Sequence, residues 1–131
     1  LARRPFSLAV VGADHPNPKG PTRRFGIALC KPGDAIELRR EPKNVADENA
    51  VAVYSERGIQ LGYLTAERAA WIGGMIANGR EICALFQCKA QFGAIIRIGL
   101  DGVRPDIPQQ LVAEEQRDDP DFYPDEIYPD D

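Results

Sequence analysis

A single histidine, His15, and two serines, Ser7 and Ser55, are all that this 131-residue chain offers for a serine–histidine arrangement. Neither serine stands in a Gly-x-Ser-x-Gly setting, which excludes a hydrolase-type nucleophile elbow. No Gly-rich phosphate loop ending in Lys-Ser/Thr and no dinucleotide fingerprint occurs. The three cysteines, Cys30, Cys83 and Cys88, are an odd number with no disulfide pattern, which suits a reducing cytoplasm. As zinc ligands Cys83 and Cys88 are badly spaced. They stand five apart on one expected strand and so point to opposite faces, whereas a zinc knuckle needs a gap of about two residues in a turn. Buried thiols are the simpler reading, and no metal or cofactor is expected. No apolar stretch approaches the ~18 residues of a membrane span. The start, Leu1–Ala2–Arg3–Arg4–Pro5, turns polar too early for a signal peptide. These absences point to binding rather than bond-breaking.

What is present is a single-domain length with an uneven charge. Residues 1–105 carry fifteen basic and ten acidic side chains, a net +5. Residues 106–131 carry ten acidic side chains and one arginine, Arg117, a net −9. The sequence pI of 5.0 therefore hides a basic body behind an acidic tail. The tail is rich in proline and charge, includes Phe122, Tyr123 and Tyr128, and is not expected to pack by itself. Three uses are open to it: a solubilising tail, a docking peptide for a partner protein, or a nucleic-acid mimic whose carboxylates imitate phosphates in the chain's own groove.

Eleven prolines and twelve glycines divide the body into short elements. Strands are predicted at Ser7–Gly12, Ala35–Arg39, Ala50–Tyr54, Gln60–Leu64, Ile82–Lys89 and Ala94–Leu100, the last two around a turn at Phe92–Gly93. In the second, Ile36 and Leu38 face one way and Glu37 and Arg39 the other. A short helix is expected after Pro21, taken as its first residue, with Phe25, Ala28 and Leu29 on one face and Gly26 counting against it. A longer helix follows Thr65 as N-cap, with the stripe Ala69, Ile72, Met75 and Ile76 and with Gly79 at its C-terminal stop. Trp71 on that helix suits a packing role. One or two helical turns are possible at Gln109–Gln116. The sum is a mainly β chain of about six short strands with two helices, which favours a small closed or partly open barrel over a parallel sheet.

The most informative run is Leu38–Val53, LRREPKNVADENAVAV. A strand ends in Arg39 and Arg40 and enters a rigid turn at Pro42, where Asn44 and Asp47 can bond nearby backbone. The loop displays Arg39, Arg40, Lys43 and Asp47 at a barrel rim, with Arg39 and Arg40 on opposite faces so that at most one lines a given groove, or simply satisfies its own backbone. This run, followed by GIQLGYLTAERAAWIGGMIANG from Gly58 to Gly79, resembles the HIRAN domain. Val10–Val11–Gly12, Gly20 and Arg24 are also similar to bacterial members. The resemblance covers roughly Phe6 to Leu100 and implies an OB-like β-barrel that binds DNA, in the best understood relatives single-stranded DNA with a free 3′ end. It implies a role in DNA repair or processing, with no catalysis by this module itself.

By the same resemblance Asp47 falls at the 3′-hydroxyl-binding aspartate, in an Asn-x-x-Asp stretch begun by Asn44, and Tyr63 at a His or Tyr near the bound end. The aromatic expected before the aspartate is Ala46, and an Arg-Tyr pair falls at Asp14–His15. His15 can still stack, and Arg23, Arg24 and Phe25, in a longer insert, can supply replacement charge and stacking, unless Arg23 and Arg24 are simply a solvated loop. An alternative is a protein-interaction adaptor whose DNA groove has decayed at Ala46 and Asp14.

Overall fold

The computed structural model describes residues 4–108. Six strands are present: β1 Phe6–Val11, β2 Ala35–Arg40, β3 Val51–Ser55, β4 Gln60–Leu64, β5 Ile82–Ala90 and β6 Gly93–Leu100. They close into an antiparallel barrel in the order β1-β4-β3-β2-β5-β6. The mainly β reading with a small barrel and two helices therefore holds. Closure follows from alternation: Leu8 and Val10, Val51 and Val53, Ala84 and Phe86, and Ile96 and Ile98 all point into one core. Gly62 lets β4 lie close to β1, since a Cβ there would strike the Val11 carbonyl.

Two helices complete the core. Helix α1, Arg23–Leu29, contributes Ile27, and helix α2, Ala66–Ala77, contributes Ala69, Ile72 and Met75. Pro21 is not the first helical residue of α1. Thr22 is the N-cap and accepts a bond from the Phe25 N–H at 3.1 Å, so the hydroxyl rather than the proline sets the start. Gly26, which reads as a helix breaker, is instead where α1 touches the sheet: a Cβ would lie 2.7 Å from Ile59 Cγ2 and 2.9 Å from Leu61 Cδ2. Thr65 is the N-cap residue of α2, though its side chain makes no bond to the helix amides. Gly79 follows the C-cap with its N–H on the Ile76 carbonyl, and Arg80 N–H reaches Met75, which closes the helix as a Schellman turn. Trp71 packs on Phe6, ring centroids 5.2 Å apart.

One strand expectation is corrected. The register of β5 shifts between Phe86 and Cys88, so Phe86 pairs with inward-facing Ile96 while Cys88 pairs with outward-facing Ile95. The extra residue, Gln87, resets the alternation, and Cys83 and Cys88 share the outer face instead of opposing each other. Among the described residues no three His, Cys, Asp or Glu side chains gather to hold a metal. No described helix is long and apolar enough to cross a membrane. The tail from residue 109 on, including the helical turns expected at Gln109–Gln116, lies outside the described residues.

Candidate functional site

The loop between β2 and β3 is built on its own polar side chains. Glu41 N–H bonds the Ala50 carbonyl at 2.9 Å and closes its base. Asn44 Oδ1 accepts the N–H groups of Ala46 at 2.9 Å and Asp47 at 3.1 Å, and its Nδ2 donates to Glu41 Oε1 at 2.9 Å. Asp47 Oδ1 accepts the Asn49 N–H at 2.8 Å. One Asp47 oxygen is thus spent on the turn, which fixes the direction of the carboxylate. Val45 at the tip is fully exposed, with Lys43 and Ala46 exposed beside it.

Tyr63 on β4 ties this loop to the barrel. Its hydroxyl donates to the same Glu41 Oε1 at 2.8 Å. Burial, with the bond to Glu41 adding to it, holds the phenol above its ordinary pKa. The Arg23 guanidinium lies 5.4 Å from the Tyr63 ring centroid. Arg23 is itself buried, donating to the Gly12 carbonyl at 2.9 Å and to Asn17 Oδ1 at 2.7 Å. Asn17 Nδ2 in turn donates to the carbonyls of Pro21 and Gln60. A buried cation therefore pins the loop before α1 against the edge of the β4 face, as such a charge must be hydrogen-bonded to be tolerated.

The strand register then extends the surface. Arg39, Ala52 and Tyr63 lie directly opposite one another on β2, β3 and β4. Arg39 stacks over the Tyr54 ring with its guanidinium carbon 3.8 Å from the centroid, and it donates to Glu37 Oε1 at 3.0 Å. That bond holds the Glu37 carboxyl below its usual pKa. Arg39 and Tyr54 line a cleft of about 490 Å³ with Asn17, Lys19, Ile59 and Gln60. The outer face of β2, β3 and β4 thus carries an aromatic–guanidinium platform, a lysine, a second tyrosine and a rim carboxylate.

The remaining candidates are placed differently. Arg40 is exposed, and its stem passes close to Gly73 of α2, away from the platform. Arg24 is held by Asp14 in a two-point contact at 2.9 and 3.2 Å and donates to the Gln91 carbonyl at 2.9 Å. Its charge answers Asp14, whose carboxyl is lowered first by that hydrogen bond. His15 is exposed beside Gly12, and Phe25 is 52% exposed on α1. Asn44 and Tyr63 meet on Glu41 Oε1, and Asp47 is tied to them through its N–H on Asn44 Oδ1. Arg24 does not join them as a free cation.

The sequence profile of the HIRAN domain matches residues 10–88. This chain belongs to the HIRAN domain family. All eight candidate residues of this HIRAN domain fall inside the matched region. Three solved structures share the fold. The crystal structure of the HIRAN domain of human HLTF superposes with a TM-score of 0.59 at 20% identity, covering 76% of each chain. The NMR structure of the HLTF HIRAN domain in its DNA-bound conformation gives 0.56 at 20% identity, covering 89% of this chain and 88% of that one. A protein from Lactobacillus plantarum gives 0.56 at 19% identity, covering 76% of this chain and 95% of that one. Among curated proteins none matches significantly.

The sequence reading missed Glu41 and Tyr54 as site residues; it set Arg39 at the loop rim rather than on a tyrosine, and it offered Arg23 as replacement charge where the fold buries it. The alternation in β2 already set Arg39 outward with Glu37. The same alternation along β3 sets Tyr54 outward, an aromatic beside an outward arginine.

Proposed function

We propose that this HIRAN domain is a nucleic-acid-binding module that lays single-stranded DNA across the outer face of β2, β3 and β4. The observation that carries the reading is the Arg39–Tyr54 platform in register with Tyr63, beside a cleft of about 490 Å³. A single-strand binder needs flat rings for bases and cations along the backbone, and stacking contributes about 1–3 kcal/mol per base. Tyr54 and Tyr63 supply rings, Arg39 and Lys19 supply cations. The DNA-bound state in which the HLTF domain was solved supports the same class of ligand.

At the loop end of this face, Asp47 receives the 3′-terminal hydroxyl. A carboxylate accepts that proton, while an internal phosphodiester there would bring charge against charge. Asp47 is half-buried and held by its own turn, which supports a defined acceptor rather than a waving side chain. The module acts by binding, in DNA repair or processing in the cytoplasm, and no catalytic step is assigned to it. The Asp14–Arg24 pair favours the second reading, a protein-interaction adaptor, because it removes one cation from DNA duty.

Fluorescence anisotropy with labelled oligonucleotides at low salt separates these readings. Single-stranded DNA with a 3′-hydroxyl binds, and a 3′-phosphate weakens it. Asp47→Asn keeps the acceptor for the Asn49 N–H but removes the charge, so it narrows that difference. Equal affinity for both ends takes the 3′ role from Asp47, and absence of binding overturns the DNA reading.

A further inference from the structure

Glu41 follows the last residue of β2 and is half-buried. One of its oxygens, Oε1, takes two donors from different parts of the chain. Asn44 Nδ2 reaches it at 2.9 Å from inside the β2–β3 loop, and the Tyr63 hydroxyl reaches it at 2.8 Å from β4. The main chain of Glu41 is held as well: its N–H lies on the Ala50 carbonyl at 2.9 Å, and its carbonyl accepts the Asn44 N–H at 3.0 Å. Every other side-chain hydrogen bond of the loop among the described residues stays within the loop. The Tyr63–Glu41 bond is therefore the one that ties it to a neighbouring strand. Ala52, opposite Tyr63 on β3, is small and buried, which leaves the way across β3 open.

From Glu41 the constraint passes to Asp47 through Asn44. With Nδ2 on the carboxylate, Asn44 must turn Oδ1 toward the N–H groups of Ala46 and Asp47. Turned over, its NH2 would face those N–H groups and its oxygen would face the carboxylate, so Glu41 selects the orientation of the amide. Asp47 closes the chain of bonds, with Oδ1 on the Asn49 N–H and its carbonyl on the Ala50 N–H at 3.0 Å. The single proton of the Tyr63 hydroxyl is spent on Glu41, so Tyr63 offers a nucleotide its ring rather than that donor.

We propose that Glu41 is the positioning residue for 3′-end selection, registering the Asp47 loop on the DNA face by holding Asn44 and Tyr63 on one carboxylate oxygen. This rests on the reading of Asp47 as the acceptor of the 3′-hydroxyl. Glu41 acts through Asn44, and the Tyr63 hydroxyl acts through Glu41.

Anisotropy with oligonucleotides ending in a 3′-hydroxyl or a 3′-phosphate tests the role. A preference of about tenfold in the parent, the size that a hydrogen bond to a charged acceptor supplies, falls to about twofold in Glu41→Ala. Glu41→Gln keeps an oxygen with two lone pairs for both donors and so retains the preference. Tyr63→Phe lowers the preference in the parent but takes nothing further from it in Glu41→Ala, because the two residues act as one unit. A preference kept in Glu41→Ala, one lost equally in Glu41→Gln, or additive losses in the double variant each overturn the proposal. A parent without any end preference overturns the Asp47 reading instead. A measurement without DNA keeps the two apart: Tyr63→Phe, which changes no group of the loop, shifts the Ala46 and Asp47 amide resonances while the interior Ile98 stays in place. Loop resonances left unmoved in that variant break the link from Tyr63 to Asp47 and overturn the proposal by themselves.

Discussion

Arg39 is the residue on which the charge of the proposed DNA face turns, and its neighbours define what its loss should do. Its guanidinium lies over the Tyr54 ring and is shared with the exposed Glu37, so it is a partly neutralised cation on a solvated surface. Arg39→Ala removes one phosphate contact. With the Glu37 competition discounted, the loss at low salt is about 1 kcal/mol, roughly fivefold in affinity. The salt dependence is the sharper reading. Each neutralised phosphate on a single strand contributes about 0.7 to the slope of log K against log salt. Between about 50 and 200 mM salt, the advantage of the parent protein over Arg39→Ala should therefore shrink by about 2.5-fold. Glu37→Gln works in the opposite direction, freeing the guanidinium and raising affinity at low salt. Anisotropy titrations at four or so salt concentrations read both. Arg39 is exposed, so neither variant threatens the fold. Identical slopes for the parent and both variants would refute the placement of DNA on this face.

Two further outcomes concern the scaffold. Gly62→Ala drives a methyl into the Val11 carbonyl on β1, and backbone gives way less readily than a side chain; a loss at or above the upper end of the usual overpacking cost of about 1–3 kcal/mol is expected in a denaturant melt. The Cys30 thiol is pushed up from 9.0 to about 11 by burial, with Asp34 adding to it. Since the folded value lies above the unfolded one, this contribution is fully present below about pH 9 and is lost as pH rises through 11, by roughly 3 kcal/mol in all. Stability measured across that window should fall less steeply in Cys30→Ala than in the parent.

Much of the barrel was legible because its elements announce themselves locally. Ile36 and Leu38 alternate with charged residues, and the Ala69–Ile72–Met75 stripe ends at a glycine that closes a Schellman turn. What failed depended on contacts between distant segments. Gly26 looks like a breaker until Ile59 and Leu61 are placed against it. The β5 bulge at Gln87 turned the parity of Cys83 and Cys88, and nothing in the run ICALFQCKA marks where an extra residue enters. The site divides in the same way. Asn44 and Asp47 were legible because they bond residues two or three positions away. The Arg39–Tyr54–Tyr63 surface was not, since the ten-residue loop Glu41–Ala50 leaves the β2–β3 register open and β3 shifts register against β4 at Val53/Tyr54. Likewise, nothing local tells which of the adjacent Arg23 and Arg24 turns inward. Only the packed fold gives Arg23 the Gly12 carbonyl and leaves Arg24 to Asp14.

The most direct test is to titrate single-stranded DNA into isotope-labelled protein and map which resonances move. Binding on the outer face of β2, β3 and β4 requires shifts at Arg39, Tyr54, Tyr63, Asn44 and Asp47, with Ala9 and Ile95 on the far side left unmoved. Shifts confined to the Ala9–Ile95 side, or none at saturating oligonucleotide, would contradict it.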